Sequence, residues 1–217
     1  MTAKIKLNSA SGGGSVSLQA PSSSSNNRVI SLPDIADGTL LTSQSTLDST
    51  KLSPALISGI TEADQWRVNS DFTMNSQYAA TITANWERND TSFEKIGTGM
   101  SVDGNGHWTF PSTGIWLIQV HWIGARNSGS THWGIHYAYG MTDGVQSNGF
   151  EIMKSYVGNA ANYSRNTGFM SAIFDVQNTS GYKLLFGYYD NNVQTTVYKG
   201  NTSSNENSYT FIRLGDT

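Results

Sequence analysis

The sequence predicts an all-β protein, a two-sheet β-sandwich over residues 61–217 preceded by a weaker segment of short strands. Three observations carry this. Short apolar and aromatic runs are separated by Gly/Asn/Asp turn clusters throughout residues 61–217. No helical period competes with them there. The aromatics are also unevenly placed: all six tryptophans, ten tyrosines and eight phenylalanines fall after residue 60, so this part has a core to build and residues 1–60 do not.

The first 42 residues alternate weakly. Ile5 and Leu7, Val16 and Leu18, and Ile30 and Leu32 form three short strand signals, followed by Leu40 and Leu41. Gly12-Gly13-Gly14, Pro21 to Asn27 and Pro33-Asp34 separate them as turns or loops. So few apolar side chains do not offset a backbone ordering cost of about 1–2 kcal/mol per residue in a lone chain. Either the segment is disordered or its strands pair with symmetry mates or a docking partner. In residues 43–60, Leu47, Leu52, Leu56, Ile57 and Ile60 recur at roughly one helical turn, and Pro54 disfavours a long helix. A short neck with an apolar stripe, or a plain linker, is expected.

Beyond Trp66 the expected strands are Tyr78–Ala84, Trp108–Pro111 ahead of a turn at Ser112-Thr113-Gly114, Ile115–Ile123, His132–Tyr139, Phe150–Val157, Gly168–Val176, Tyr182–Tyr189, Gln194–Tyr198 and Tyr209–Leu214. Eight to ten strands suit a sandwich. Ile115–Ile123 is apolar at nearly every position, as in a strand buried on both faces, or on one face plus a subunit contact. Asp103-Gly104-Asn105-Gly106 reads as a hairpin turn; it lacks the later ligands and terminal Glu of a calcium loop.

Composition excludes several functions. Net charge is −3, charged residues are 13% against about 25% in typical domains, and no basic stripe is present, which argues against nucleic acid. Cysteine is absent, removing disulfides and thiolate chemistry. No apolar run approaches the ~20 residues of a membrane span, and the N-terminus lacks a signal-peptide core, so synthesis in a cytoplasm without membrane insertion is expected. His132 and His136 lie about 13 Å apart along a strand, too far for one metal. No nucleophile elbow or preferred carboxylate pair is present. Neither catalysis, nor a metal, nor a cofactor is expected. Four Asn-x-Ser/Thr sequons, at Asn89, Asn162, Asn178 and Asn201, are read as chance matches.

Two family resemblances sharpen this. Phe93 to Gly99, followed by Gly106-His107-Trp108-Thr109-Phe110-Pro111-Ser112-Thr113-Gly114-Ile115-Trp116, resembles a hallmark of the tumour-necrosis-factor/complement-type jelly roll. Ser208 to Leu214 is similar to that family's last strand, which lies at the centre of a trimer. The resemblance implies a trimeric jelly-roll sandwich over 61–217. Gly14 to Pro21, Val29 to Pro33 and Asp37 to Thr42 resemble an N-terminal segment of bacteriophage fibre and virion structural proteins. Together these imply a homotrimeric virion fibre or spike, assembled in the host cytoplasm. Residues 1–42 attach it to tail, baseplate or capsid proteins through Ile5, Leu7, Val16, Leu18, Ile30 and Leu32. Residues 43–60 form the neck, and 61–217 form a head that adheres to a host cell-surface glycan or protein. Six tryptophans exceed what one sandwich core readily hides, which again favours an interface or a binding site. The candidate receptor-binding residues lie in three polar loops with aromatic ends: Arg126, Asn127 and His132; Asn162, Tyr163 and Arg165; Tyr189 and Asn191. The alternatives are a capsid decoration or fibre protein without a receptor, a free carbohydrate-binding lectin-like module, and an enzyme acting on polysaccharide.

Overall fold

The computed structural model describes residues 4–8, 11–19, 59–73, 80–126, 132–159, 165–190 and 196–217. The chain divides into two units, Met1–Leu52 and Ser53–Thr217.

In the first unit, β1 (Lys4–Asn8) and β2 (Ser15–Gln19) form an antiparallel hairpin. The first two strand signals therefore pair with each other. Ile5 stands opposite Leu18 and Leu7 opposite Val16, so the four apolar positions share one face. Ile5 and Leu7 are exposed, and Gly12 and Gly13 turn the chain with positive φ. Ile30, Leu32 and residues 43–58 of the expected neck lie outside the described residues.

The second unit is a sandwich of an eight-stranded and a six-stranded sheet. The larger sheet is built on β3 (Ala63–Val68), β10 (Gly114–Arg126), β13 (Arg165–Val176) and β16 (Ser208–Gly215). β16 lies between β3 and β10, and β13 pairs with β10 on its other side. Four shorter strands complete it: β4 (Ser70–Thr73), β6 (Trp86–Arg88), β7 (Lys95–Ile96) and β15 (Thr196–Asn201). The smaller sheet holds β12 (Phe150–Asn159), β11 (His132–Met141), β14 (Lys183–Asp190), β9 (Trp108–Thr109) and β8 (Ser101–Val102) in that order, with β5 (Ala80–Thr81) on β14.

This unit therefore has more strands than the eight to ten expected. The extra ones, β3, β4, β6, β7 and β8, are short pieces in residues 63–102, where polar and charged residues interrupt the alternation that marks strands. Within the expected Tyr78–Ala84 strand, only Ala80–Thr81 pair among the described residues.

Trp108, Trp116 and Trp122 are fully buried, and Trp66 and Trp86 pack against the core from its margin. Trp108 takes edge-on contacts from Trp66 at 5.1 Å and Trp86 at 4.9 Å. Of these five, three are hidden in the core and two stand half-buried at its margin. Edge-to-face packing lets bulky rings share the space between the sheets.

The Asp103–Gly106 segment is the hairpin turn expected, closing β8 against β9. The Phe93–Gly99 hallmark also has a local cause. Gly97 and Gly99 have φ near +75°, and a Cβ at either would strike the carboxylate of Glu62 or Asp64. Those carboxylates instead accept backbone N–H bonds from Thr98, Gly99 and Met100, pinning the loop to β3.

Candidate functional site

Three features of the sandwich bear on function: an outward sheet face, one end of the strands, and two clefts near β5.

On β10, Trp116, Ile118, Val120 and Trp122 point into the core. The alternate residues Ile115, Leu117, Gln119, His121 and Ile123 are half-buried on the outward face. Within one chain this strand is therefore fully buried on one face only, and the reading of burial on both faces is not met. The register extends the outward face across three strands. Ile173 and Ile212 flank Leu117, Ser171 and Thr210 flank Gln119, and Phe169 and Ser208 flank His121. Phe169 is 60% exposed, Ile173 66% and Leu214 55%. At the β3 margin the face turns polar. Arg67 is buried there by Glu87 at 3.0 Å, Asp90 at 2.6 Å, Asn89 and Thr91.

The three loops singled out from sequence leave one end of the sandwich. β10 ends at Arg126 beside Thr196, and Ala125 stands opposite Arg165. In the other sheet, His132 opposes Asn159 and Gly134 opposes Asp190. The chain leaves one sheet at Arg126, Asn159 and Asp190 and enters the other at His132, Arg165 and Thr196. Arg126 is thus the last residue of β10, His132 the first of β11, and Arg165 the exposed first residue of β13. Tyr189 is half-buried near the end of β14. Asn127, Asn162, Tyr163 and Asn191 lie outside the described residues.

The first cleft, about 170 Å³, is lined by Phe72, Thr73, Thr81, Thr83, Asn85 and Tyr188 among others. The second, about 150 Å³, is lined by Thr81, Tyr137, Tyr139, Gln146 and Leu185. Tyr137 lies over Gly187, where any Cβ would collide with its ring. Burial, with Tyr139 and Tyr188 nearby, pushes its hydroxyl up to about 12. Sequence reasoning missed both clefts. They are assembled from β4, β5, β11 and β14, strands far apart in the chain, and no local motif signals that meeting.

On β11 the core also holds a histidine that the sequence treated as ordinary packing. His136 is fully buried. Its Nδ1 lies 2.7 Å from the Tyr198 hydroxyl and its Nε2 3.1 Å from the Tyr209 hydroxyl. Burial pulls its pKa down to about 3, opposed only in part by a backbone hydrogen bond with Gly187, so the ring is neutral. One ring nitrogen donates and the other accepts. This is a structural polar bridge inside an aromatic core, with no carboxylate in hydrogen-bond contact among the described residues.

Among the described residues, no group of three His, Asp or Glu could hold a metal ion, and no helix is long and apolar enough to cross a membrane.

No protein-family model matches the chain. No curated protein matches it in sequence. Among solved structures it is similar to Eiger TNF from S. frugiperda, at 12% identity over 73% of this chain and 96% of that one, with a TM-score of 0.50. It is also similar to murine APRIL at pH 5.0, at 8% identity over 70% of this chain and 98% of that one, with a TM-score of 0.50. At such identities the likeness is one of fold, and the fold of this chain is the TNF-like jelly-roll sandwich.

Proposed function

We propose that this chain is a homotrimeric structural fibre or spike of a bacteriophage virion, attached to the particle by its N-terminal segment and adhering to the host surface through its jelly-roll head. The observation that carries the assembly is the outward face of the larger sheet. An isolated sandwich has no reason to leave Phe169, Ile173 and Leu214 exposed beside Leu117 and Ile212. A second and third copy would cover them, and a closed ring leaves no sticky face behind. The jelly-roll resemblance supports three copies.

The exposed Ile5 and Leu7 on the hairpin support a docking role for the N-terminal unit, and the virion assignment rests on the resemblance of residues 14–42. Adhesion is assigned to the head because the strand ends that flank three segments of polar sequence, Arg126 with His132, Asn159 with Arg165 and Asp190 with Thr196, come together in the registers of the two sheets. Three weak sites per trimer, multiplied over a particle, give avidity without a tight single site. The test is cell binding. Residues 61–217 should bind susceptible host cells and compete with whole particles, while residues 1–60 should do neither. A head that binds no susceptible host would contradict the adhesive role.

A further inference from the structure

We infer that the cleft between β4 and the Thr81–Asn85 segment is a subsite for one pyranose ring of a neutral glycan. The inference rests on the adhesion reading for its biological meaning, and its chemistry comes from the lining. No charged side chain is among the lining residues, so neither an ionic group nor a metal is selected. Thr73, Thr81, Thr83 and Asn85 offer hydroxyls and a carboxamide, groups that both donate and accept, as vicinal sugar hydroxyls require. Phe72 and Tyr188 supply aromatic surface for the C–H face of a ring, their centroids 5.6 Å apart. At about 170 Å³ the space is below the ~300–1,000 Å³ of pockets for larger ligands. It suits one ring, with its linkages leaving toward solvent.

The cleft is also held rigid. Phe72 stacks on Tyr198 at 5.1 Å, and Tyr198 stacks on Trp122 at 5.3 Å, so the aromatic side continues into the core as a column of near-parallel rings. The opposite wall is fixed by three bonds: Ile82 N–H to the Phe186 carbonyl, Trp86 Nε1–H to the Ile82 carbonyl, and Asn69 N–H to the Asn85 carbonyl. Asn85 is the one non-glycine residue among those described with positive φ, at 64°. A wall fixed before binding loses little freedom when a weak ligand arrives.

The experiment titrates the full chain with methyl glycosides of glucose, galactose, mannose and N-acetylglucosamine, using ligand-observed saturation-transfer NMR. Asn85→Gly removes the carboxamide while tolerating the left-handed backbone, and Thr83→Val removes an exposed hydroxyl at constant shape. The expected result is millimolar binding of at least one glycoside, weakened at least tenfold in the double variant with an unchanged thermal midpoint. Phe72→Leu should weaken it similarly, and Arg165→Ala at the loop end should not. Binding of none of the glycosides, or full affinity in the double variant, overturns the inference. Host-cell binding separates the two proposals. If cells are held but no glycoside binds in the cleft, the subsite is wrong and adhesion stands. If the glycoside binds in the cleft but no cells are held, adhesion fails and the subsite stands.

Discussion

The Tyr198 hydroxyl lies 2.7 Å from Nδ1 of His136, where no carboxylate among the described residues is in contact to balance a charged imidazole. This sets the pH behaviour of the fold. The folded pKa is depressed to about 3 from an ordinary 6.5. Between those values the unfolded chain binds a proton that the folded chain does not. The stabilisation is fully present above about pH 6.5 and is lost as pH falls toward 3, at most on the order of 1 kcal/mol per pH unit. Urea midpoints measured from pH 7 to 5, above most carboxylate titration, should fall with pH. In His136→Gln that slope should flatten, with a lower stability at pH 7.

Asp64 is buried on β3 and accepts from Arg88 Nε at 3.0 Å, Arg88 Nη2 at 3.1 Å, Trp66 Nε1 at 2.8 Å and Met100 N at 2.7 Å. Asp64→Ala leaves these donors without their common acceptor and should cost about 3 kcal/mol, read by denaturant unfolding. Because Arg88 is partly exposed and recovers some hydration, a cost near the lower end of the range for broken buried pairs is expected.

Gly168 lies under Trp122, and a Cβ there would run into the indole Nε1. Gly168→Ala should cost about 1–3 kcal/mol by overpacking. It should also change the near-ultraviolet circular dichroism of the tryptophans, while far-ultraviolet spectra stay those of a β protein.

Ile173 is 66% exposed and stands opposite Leu117 on the outward face. In the proposed ring, Ile173→Asp puts a charge into a covered apolar contact without touching the core. It should reduce the assembly to single chains at micromolar concentration while leaving the β spectrum unchanged, as followed by light scattering and circular dichroism.

Much of the fold was legible because long strands write their alternation into the sequence. β13 shows it in Met170, Phe174 and Val176, while β10 was legible as the apolar run Ile115–Ile123, whose alternation appears only in the burial of Trp116, Ile118, Val120 and Trp122. The hairpin at Asp103–Gly106 was legible because its turn chemistry is local. The strands of residues 63–102 were not, since their core contacts, such as Trp66, Val68, Trp86 and Met100, stand singly among polar and charged residues that ion pairs of Asp64, Arg67 and Arg88 hold in place. The loops joining the sheets could be chosen by composition, and the register then shows why Arg126 and Arg165 come to one end. The cleft at Phe72, Thr83 and Asn85 could not be read, because it depends on β4 and β5 meeting from different sheets.

The most direct test of the account is the solution mass of the full chain, by light scattering after size exclusion, beside the Ile173→Asp variant. The account predicts three times the chain mass for the native protein and the single-chain mass for the variant. A native protein with the mass of one chain would contradict it, since the apolar face of β10, β13 and β16 would then be left uncovered in a stable monomer.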